Sequence, residues 1–166
     1  MKKTIKLLLI LAVLSANVGC DQVSKNIVRQ RIGFGEEISL ASGHFTLTKV
    51  ENAGAFLSLG DSLPWVIKII LLSLLPSLVL ILGVVYLIRK SELTRLSLTG
   101  ICCIVGGGIG NVYDRIVHGS VTDFMHIDFV LFETGIFNMA DVSILIGTVL
   151  VLTASFFEKA KAVSAS

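Results

Sequence analysis

LPWVIKIILLSLLPSLVLILGVVYLI, residues 63–88, is the stretch that decides the fold. Lys68 is its only charged side chain. A helix needs about 20 mostly apolar residues to cross the hydrocarbon of a bilayer, and this run supplies them without a break. A lysine this close to one end can lay its stem along the apolar surface and lift its ammonium to the interface. The segment therefore reads as a membrane span, and the rest of the chain is read around it.

Three further runs have the same character. They extend over about 4–20, 96–113 and 136–157. Composition agrees: 54% of the 166 residues are hydrophobic, 16% are charged, and the mean hydropathy is +0.86. A soluble domain would carry about 25% charged residues. Four spans put both termini on one side, and basic residues choose the side. Lys2, Lys3 and Lys6 flank the first span, Arg89, Lys90 and Arg95 fill the loop between the second and third, and Lys159 and Lys161 follow the fourth. These clusters are expected in the cytoplasm. The outer segments, about Asp21–Ser62 and Asp114–Gly135, carry Lys25, Arg29, Arg31, Lys49 and Arg115, so the bias is moderate.

Between the first two spans, Ile38, Leu40, Phe45, Leu47 and Val50 alternate roughly, interrupted at Ala41-Ser42-Gly43-His44. That pattern predicts a hairpin or small sheet within about 34–60, with a turn out of the first helix at Gln30–Gly35. The expected class is a mainly α membrane protein: four transmembrane helices and a small extracytoplasmic β element, in one domain over 1–166. A net charge of +2 and the lack of a basic stripe with interleaved aromatics give no case for nucleic acid. Cys20, Cys102 and Cys103 have no CxxC spacing and fall in apolar runs, so they read as small packing residues. Lys2-Lys3, an apolar run and Gly19-Cys20 have the outline of a lipoprotein signal peptide. Asn17 stands where a lipobox has an aliphatic residue, and the first helix is expected to stay uncleaved.

Ionisable residues at membrane depth cost about 2.5–3.5 kcal/mol each on insertion scales, so each is a site hypothesis. Asp21 and Lys25 are four apart with the acid first, the order that favours a helical ion pair, and a structural anchor at the end of the first helix is expected. Ser24 and Lys25 are adjacent and point about 100° apart, a poor placement for a Ser/Lys dyad. Gly106 and Gly110 form a GxxxG that lets helices approach; Asn111, Asp114 and Arg115 follow at positions that share a helix face. Asp123 lies where the chain returns to the membrane. Asn138 and Asp141, three apart, open the fourth span. Asp141 has no basic residue near it in sequence, and sharing a proton with a second carboxyl would relieve the cost of an isolated charge. An ionised carboxyl and a protonated one together can activate water and polarise a carbonyl. Separately satisfied helix-end residues explain the same spacing. So does a relay in a transporter, although no inverted repeat and no polar residues deep in several spans support one, and so does a structural membrane subunit. Asp123, His126 and Asp128, with His118 near, are the rival metal reading, without an HExxH.

Five motifs in order then carry a resemblance: Asp21-Gln22-Val23-Ser24-Lys25; Asn52-Ala53-Gly54-Ala55; Gly106 through Arg115; Val121-Thr122-Asp123-Phe124; and Phe137-Asn138-Met139-Ala140-Asp141. The chain resembles the lipoprotein signal peptidases, the type II signal peptidases of bacteria, over nearly its whole length. The resemblance implies a membrane aspartic endopeptidase of lipoprotein maturation, multi-pass in the cytoplasmic (inner) membrane, with its active site at the outer face. It implies Asp123 and Asp141 as the catalytic pair. Asn111, Asp114, Arg115 and Asn138 would orient the pair or the substrate, and Asn52 and Gly54 would belong to the β element over the site. Asp21 and Lys25 match the first-helix motif and keep the structural role. Substrates would be diacylglyceryl-modified prolipoproteins cut before the lipidated cysteine. No metal and no organic cofactor is implied, membrane lipid is the surrounding partner, and a monomer is expected. After Asn-x-Gly-Ala the family often continues Ala-Phe; here Phe56 and Leu57 follow, a bulkier start.

Overall fold

The computed structural model describes residues 3–54, 63–129 and 131–164. Phe56 and Leu57 lie outside the described residues, as does the end of the expected β element. Four helices are long and apolar enough to cross a membrane: Lys3–Arg31, Trp65–Arg89, Arg95–His118 and Met139–Ala160. We label Lys3–Arg31 α1, Trp65–Ile69 α2, Leu75–Arg89 α3, Arg95–His118 α4 and Met139–Ser164 α5. The strands are β1 (Glu37–Leu40), β2 (Phe45–Asn52) and β3 (Val121–Ile127).

The second span is α2 and α3 joined by a π-helical turn, Ile70–Leu74. Pro76 explains the widening. It has no N–H, and its ring would clash with the carbonyl of Leu72 in a regular α-turn, so the preceding turn opens. Leu72 and Pro76 both return below as cavity walls.

Two spans run well past their expected ends. The first was expected over 4–20 and continues to Arg31; the third was expected over 96–113 and continues to His118. Hydropathy falls at Asp21 and Asp114, which suggested helix ends and outer loops there. The helices continue because these charges meet partners inside the protein, so the chain does not need water at that point. Asp21 and Lys25 are thus not a helix-end anchor but a mid-helix pair, both fully buried. The turn expected from Gln30 begins only after Arg31. At its start α4 is capped by Thr94, whose hydroxyl accepts from the Ser97 N–H at 3.1 Å. At its end Gly119 takes the left-handed conformation at φ 78°, where a side chain would be strained. The fourth helix opens at Met139 rather than 136, for the capping reason given below.

The sheet is antiparallel in the order β1-β2-β3. The break in the hairpin falls where the sequence placed it, at a 3₁₀ turn over Ala41–Gly43. β3 was not expected in the sheet. It lies far along the chain, between two spans, and pairs Val50 with Asp123 and Asn52 with Val121. Its first four residues are buried. A register shift between Leu47 and Val50 resets the pairing just before Asp123.

α4 is the helix the others pack around, and its glycines each make room for a different neighbour. A Cβ on Gly106 would lie 2.8 Å from Asn17 of α1, and one on Gly108 2.5 Å from Leu80 of α3. One on Gly107 would press on the Ala140 carbonyl oxygen of α5, and one on Gly110 on the Asp21 carboxylate of α1. Toward the other end, a Cβ on Gly100 would lie 2.8 Å from the Gly147 oxygen. The GxxxG pair therefore seats α1, as expected of small residues at helix contacts, while the intervening glycines seat α3 and α5.

Ile10, Leu87, Leu98, Cys102 and Val105 form a buried apolar core inside the bundle, and Val28, Ile32 and Phe124 form a second under the sheet. Cys102 packs as expected, but Cys20 is exposed on the outside of α1. Leu78, Val79, Ile81, Leu82, Leu152 and Phe156 are each more than half exposed. They belong to an apolar belt that lipid, not water, can cover. Lys6 ties the N-terminal end of α1 to the end of α3, donating to the carbonyls of Lys90 at 2.6 Å and Ile88 at 3.3 Å.

Candidate active site

The site is built where the far ends of α1 and α4 meet the start of α5 and the strand β3. α5 begins with a reciprocal cap. The Asn138 side-chain oxygen accepts from the Asp141 N–H at 3.0 Å, and the Asp141 Oδ2 accepts from the Asn138 N–H at 3.1 Å. This is the capping-box arrangement with Asn and Asp in place of Ser/Thr and Glu. The next free amide of that turn, Ala140 N–H, donates to Asp21 Oδ1 at 2.9 Å. Asp141 is therefore held by the backbone that starts its own helix.

Asn138 has a second task. With its oxygen committed to the cap, its amide nitrogen points the other way, donating to Asp123 Oδ1 at 2.6 Å and to Asn111 Oδ1 at 3.2 Å. Asn52 of β2 donates to the other Asp123 oxygen at 3.0 Å, and its own oxygen accepts from the Gly54 N–H at 3.0 Å. Asn111 of α4 donates to Asp141 Oδ1 at 2.9 Å. One asparagine thus contacts both acids, and each carboxyl receives two N–H donors. Burial pushes the Asp123 carboxyl up to about 6; the Asn52 and Asn138 donors pull against this, the Asp141 charge adds to it, and Lys25 opposes it.

Asp123 and Asp141 face one cavity of about 240 Å³. Asn52, Asn111, Arg115 and Asn138 supply its polar wall, and Leu72, Pro76, Val121 and Ile136 its apolar wall. Arg115 donates to the carbonyl of Gly54 at 2.9 Å and to that of Asn111 at 3.3 Å. Its Nε is buried with no hydrogen-bond partner among the described residues. The cavity can therefore offer a carboxyl that holds its proton up to about pH 6, a second carboxyl, and a guanidinium N–H for a carbonyl oxygen.

Of the three residues expected on one face of the third helix, Asn111 and Arg115 reach the cavity and Asp114 does not. Asp114 lies about 60° round the helix from Asn111 and about 100° from Arg115, and turns into a buried cluster behind the cavity. There Lys25 lies 2.8 Å from Asp21, 3.1 Å from Asp114 and 2.9 Å from Asn111 Oδ1. Arg29 lies 3.0 Å from Asp114 and also donates to Thr122 Oγ1 at 2.8 Å. Two carboxylates face two cations, which is how charges persist at such depth. Asp114 further accepts from the Thr122 N–H at 3.3 Å, fixing β3 one residue before Asp123. Gln22 bridges the cluster, donating to Asp21, Asp114 and the Gly110 carbonyl.

Sequence reasoning gave no role to Gln22, Arg29, Thr122, Leu72 or Pro76. Gln22 and Arg29 could have been found: with Asp21 and Lys25 they occupy one helical stripe once the helix is taken to continue. His126 lies 3.6 Å from Glu133, away from the cavity.

A family model described as signal peptidase (SPase) II matches residues 13–157. A lipoprotein signal peptidase of Streptococcus pneumoniae (strain ATCC BAA-255 / R6) is 32% identical over 143 residues, which is 86% of this chain and 88% of that protein. One from Listeria monocytogenes serovar 1/2a is 32% identical over 88% of this chain and 92% of its own length. One from Francisella tularensis subsp. novicida is 34% identical over 87% and 89%. A solved structure described as a bacterial membrane enzyme superposes with a TM-score of 0.81 at 24% identity, over 92% of this chain and 90% of that one. That likeness supports the fold.

Proposed function

Because the chain belongs to the signal peptidase II family, and is thus a multi-pass membrane aspartic peptidase of bacteria that removes signal peptides from prolipoproteins, we propose that Asp123 and Asp141 are its catalytic pair. The observation that carries this reading is the single amide side chain, Asn138, bonded to Asp123 and capping Asp141 at the wall of one cavity.

Asp123, the more buried acid, carries the shared proton, and Asp141 serves as the base of the pair. A water in the cavity gives a proton to Asp141 and attacks the scissile carbonyl carbon, while Asp123 gives its proton to the carbonyl oxygen. Collapse of the tetrahedral species breaks the C–N bond, and a proton returns to the leaving nitrogen. No covalent enzyme intermediate forms. Arg115 Nε holds a substrate carbonyl, and Asn52, Asn111 and Asn138 orient the acids. Gly54 contributes backbone, its carbonyl steadying Arg115. Asp114 acts from behind, through β3, and Asp21 and Lys25 lock α1 to α4 and α5. The apolar wall of Leu72 and Pro76 belongs to the span that opens toward lipid.

The substrate is a prolipoprotein carrying a diacylglyceryl group on its cysteine, cut just before that residue. Its lipid stays in the bilayer and brings the peptide bond to the cavity, which lowers the entropic cost of positioning. The basic clusters at the opposite end, with Lys6 beside Lys90, support an orientation with both termini in the cytoplasm and the cavity at the outer face. The protein works as one domain over 1–166, as a monomer in lipid, and without metal.

The test is cleavage of a synthetic diacylglyceryl-modified lipobox peptide by purified protein, with Asp123→Asn and Asp141→Asn in parallel. Cleavage before the cysteine by the parent alone is expected. Near-full cleavage by either variant refutes the pair.

A further inference from the structure

We propose that Lys25 is a positioning residue for the hydrolytic reaction, acting through Asn111 on Asp141. The inference rests on Asp123 and Asp141 being the reacting pair.

An ammonium only donates, so whatever it touches must present an acceptor. Lys25 Nζ lies 2.9 Å from Asn111 Oδ1, and the Asn138 amide supplies a second donor to the same oxygen at 3.2 Å. The Asn111 amide can therefore stand only one way round, with its nitrogen toward Asp141 Oδ1 at 2.9 Å. Reversed, it would set N–H groups against N–H groups at two contacts, and bring its oxygen to the carboxylate. Asn138 cannot perform this ordering alone. Its own orientation is set by the α5 cap, but its contact with Asn111 is the longer of the two. The chain of orientation thus runs from a charged residue, through a neutral amide, to a reacting carboxyl. A neutral side chain at position 25 would remove the shorter of the two donor contacts that fix Asn111, leaving only the longer one from Asn138 and loosening the hold of Asn111 on Asp141.

The arrangement also explains why Lys25 is completely buried although the ion-pair cluster has another cation. Arg29 reaches Asp114 from the outer side, with its side chain 20% exposed, and extends to Thr122 rather than to Asn111. Of the two described cations in the cluster, Lys25 is the one that touches both the carboxylates and the cavity wall. The charged groups around it are Asp21 and Arg29 on its own helix, Asp114 on α4, Asp123 on β3 beyond Asn138, and Asp141 on α5 beyond Asn111.

The experiment compares parent, Lys25→Met and Lys25→Met/Asp21→Asn on the lipidated peptide, reading kcat, KM, the pH profile of kcat/KM and the melting temperature. The double variant keeps the cluster's charge balance, so that folding survives where the single variant loses it. In whichever variant folds, kcat is expected to fall at least tenfold with KM within about twofold. The acidic limb should move to higher pH, because a cation and an oriented donor that favour the ionised member of the pair have both gone. A lower melting temperature with parental kcat and an unmoved acidic limb overturns the proposal and leaves Lys25 as packing. Failure of both variants to fold overturns it equally, by making the residue a requirement of assembly alone. Asp141→Asn runs alongside: if it cleaves like the parent, the catalytic pair itself is wrong, whereas an inactive Asp141→Asn beside an unimpaired Lys25→Met sinks only the positioning role.

Discussion

Asp123→Asn should make the protein inactive and, above pH 6, relatively more stable. Asp123 is 4% exposed, and burial raises its carboxyl from an ordinary 3.8 to about 6. That difference is about 3 kcal/mol. The sign follows from proton counting. Between the two values the folded protein holds a proton that the unfolded chain has lost, so raising the pH favours unfolding. Below 3.8 the parent is neutral at this position in both states and suffers nothing. Above 6 it carries the whole penalty, and asparagine carries none at any pH. The amide has its own cost, because Asn52 and Asn138 both donate to this side chain and one would then face an N–H group, at about 1–3 kcal/mol. That cost is constant with pH. The prediction is therefore the change in the difference: the variant should gain about 3 kcal/mol on the parent between pH 3 and pH 8. For a chain of this size that is a relative rise in melting temperature of roughly 6–12 °C. Thermal unfolding of both proteins in one detergent, at half-unit pH steps, measures it. A difference that is flat with pH, or that moves in favour of the parent, refutes the argument that Asp123 is held against its solvation.

Three other outcomes are expected. Gly107→Ala should lower the melting temperature and kcat together, since the added methyl presses on the Ala140 carbonyl and lies 2.9 Å from Ile144, prising α5 from α4; Gly19→Ala, with nothing within 4 Å, should do neither. The overpacking should cost about 1–3 kcal/mol by thermal unfolding. Asn52→Ala removes a donor to Asp123 and should lower kcat/KM about tenfold, the effect of losing one buried hydrogen bond; its alkaline limb should shift upward, because Asp123 acts as the protonated member and a contact that restrains its raised carboxyl is gone. Incubation with EDTA should leave cleavage of the lipidated peptide unchanged, and inhibition reversed by zinc would instead favour a metal mechanism.

The four spans were legible because hydropathy over about 20 residues is a local property of sequence. Their ends were not. At Asp21 and Asp114 the sequence becomes polar, and only the partners decide whether a polar residue ends a helix or is absorbed by another one. Lys25 and Arg29 lie within a few residues of Asp21, but the backbone amide of Ala140, which also binds Asp21, is over a hundred residues away. The β hairpin could be read from alternation, whereas β3 could not: seven residues between two spans look like a loop until β2 pairs with them. Both cavity acids could be singled out from their placement at the ends of the apolar runs. What joins them, the two-sided use of Asn138, depends on which way an amide is turned, and spacing carries no information about that.

The first helix has a consequence for the membrane itself. Its 29 residues measure about 44 Å, against a hydrocarbon thickness of about 30 Å. Asp21 falls about 27 Å along the axis from Lys3, and Asp114 about 29 Å along α4 from Arg95. If Lys3 and Arg95 stand at one boundary of the oil, both buried carboxylates stand near the other, and the last turns of α1 with Ile32 rise beyond it, where Val28 and Ile32 pack under the sheet against Phe124. Cavity height is thus fixed relative to the apolar belt rather than to the lipid headgroups. In a bilayer of longer acyl chains the helices must tilt or the lipid must thin around them, and a peptide bond held at a set distance from its own fatty anchor would come into or out of reach. With the helices so placed, cleavage would vary with bilayer thickness as well as with substrate.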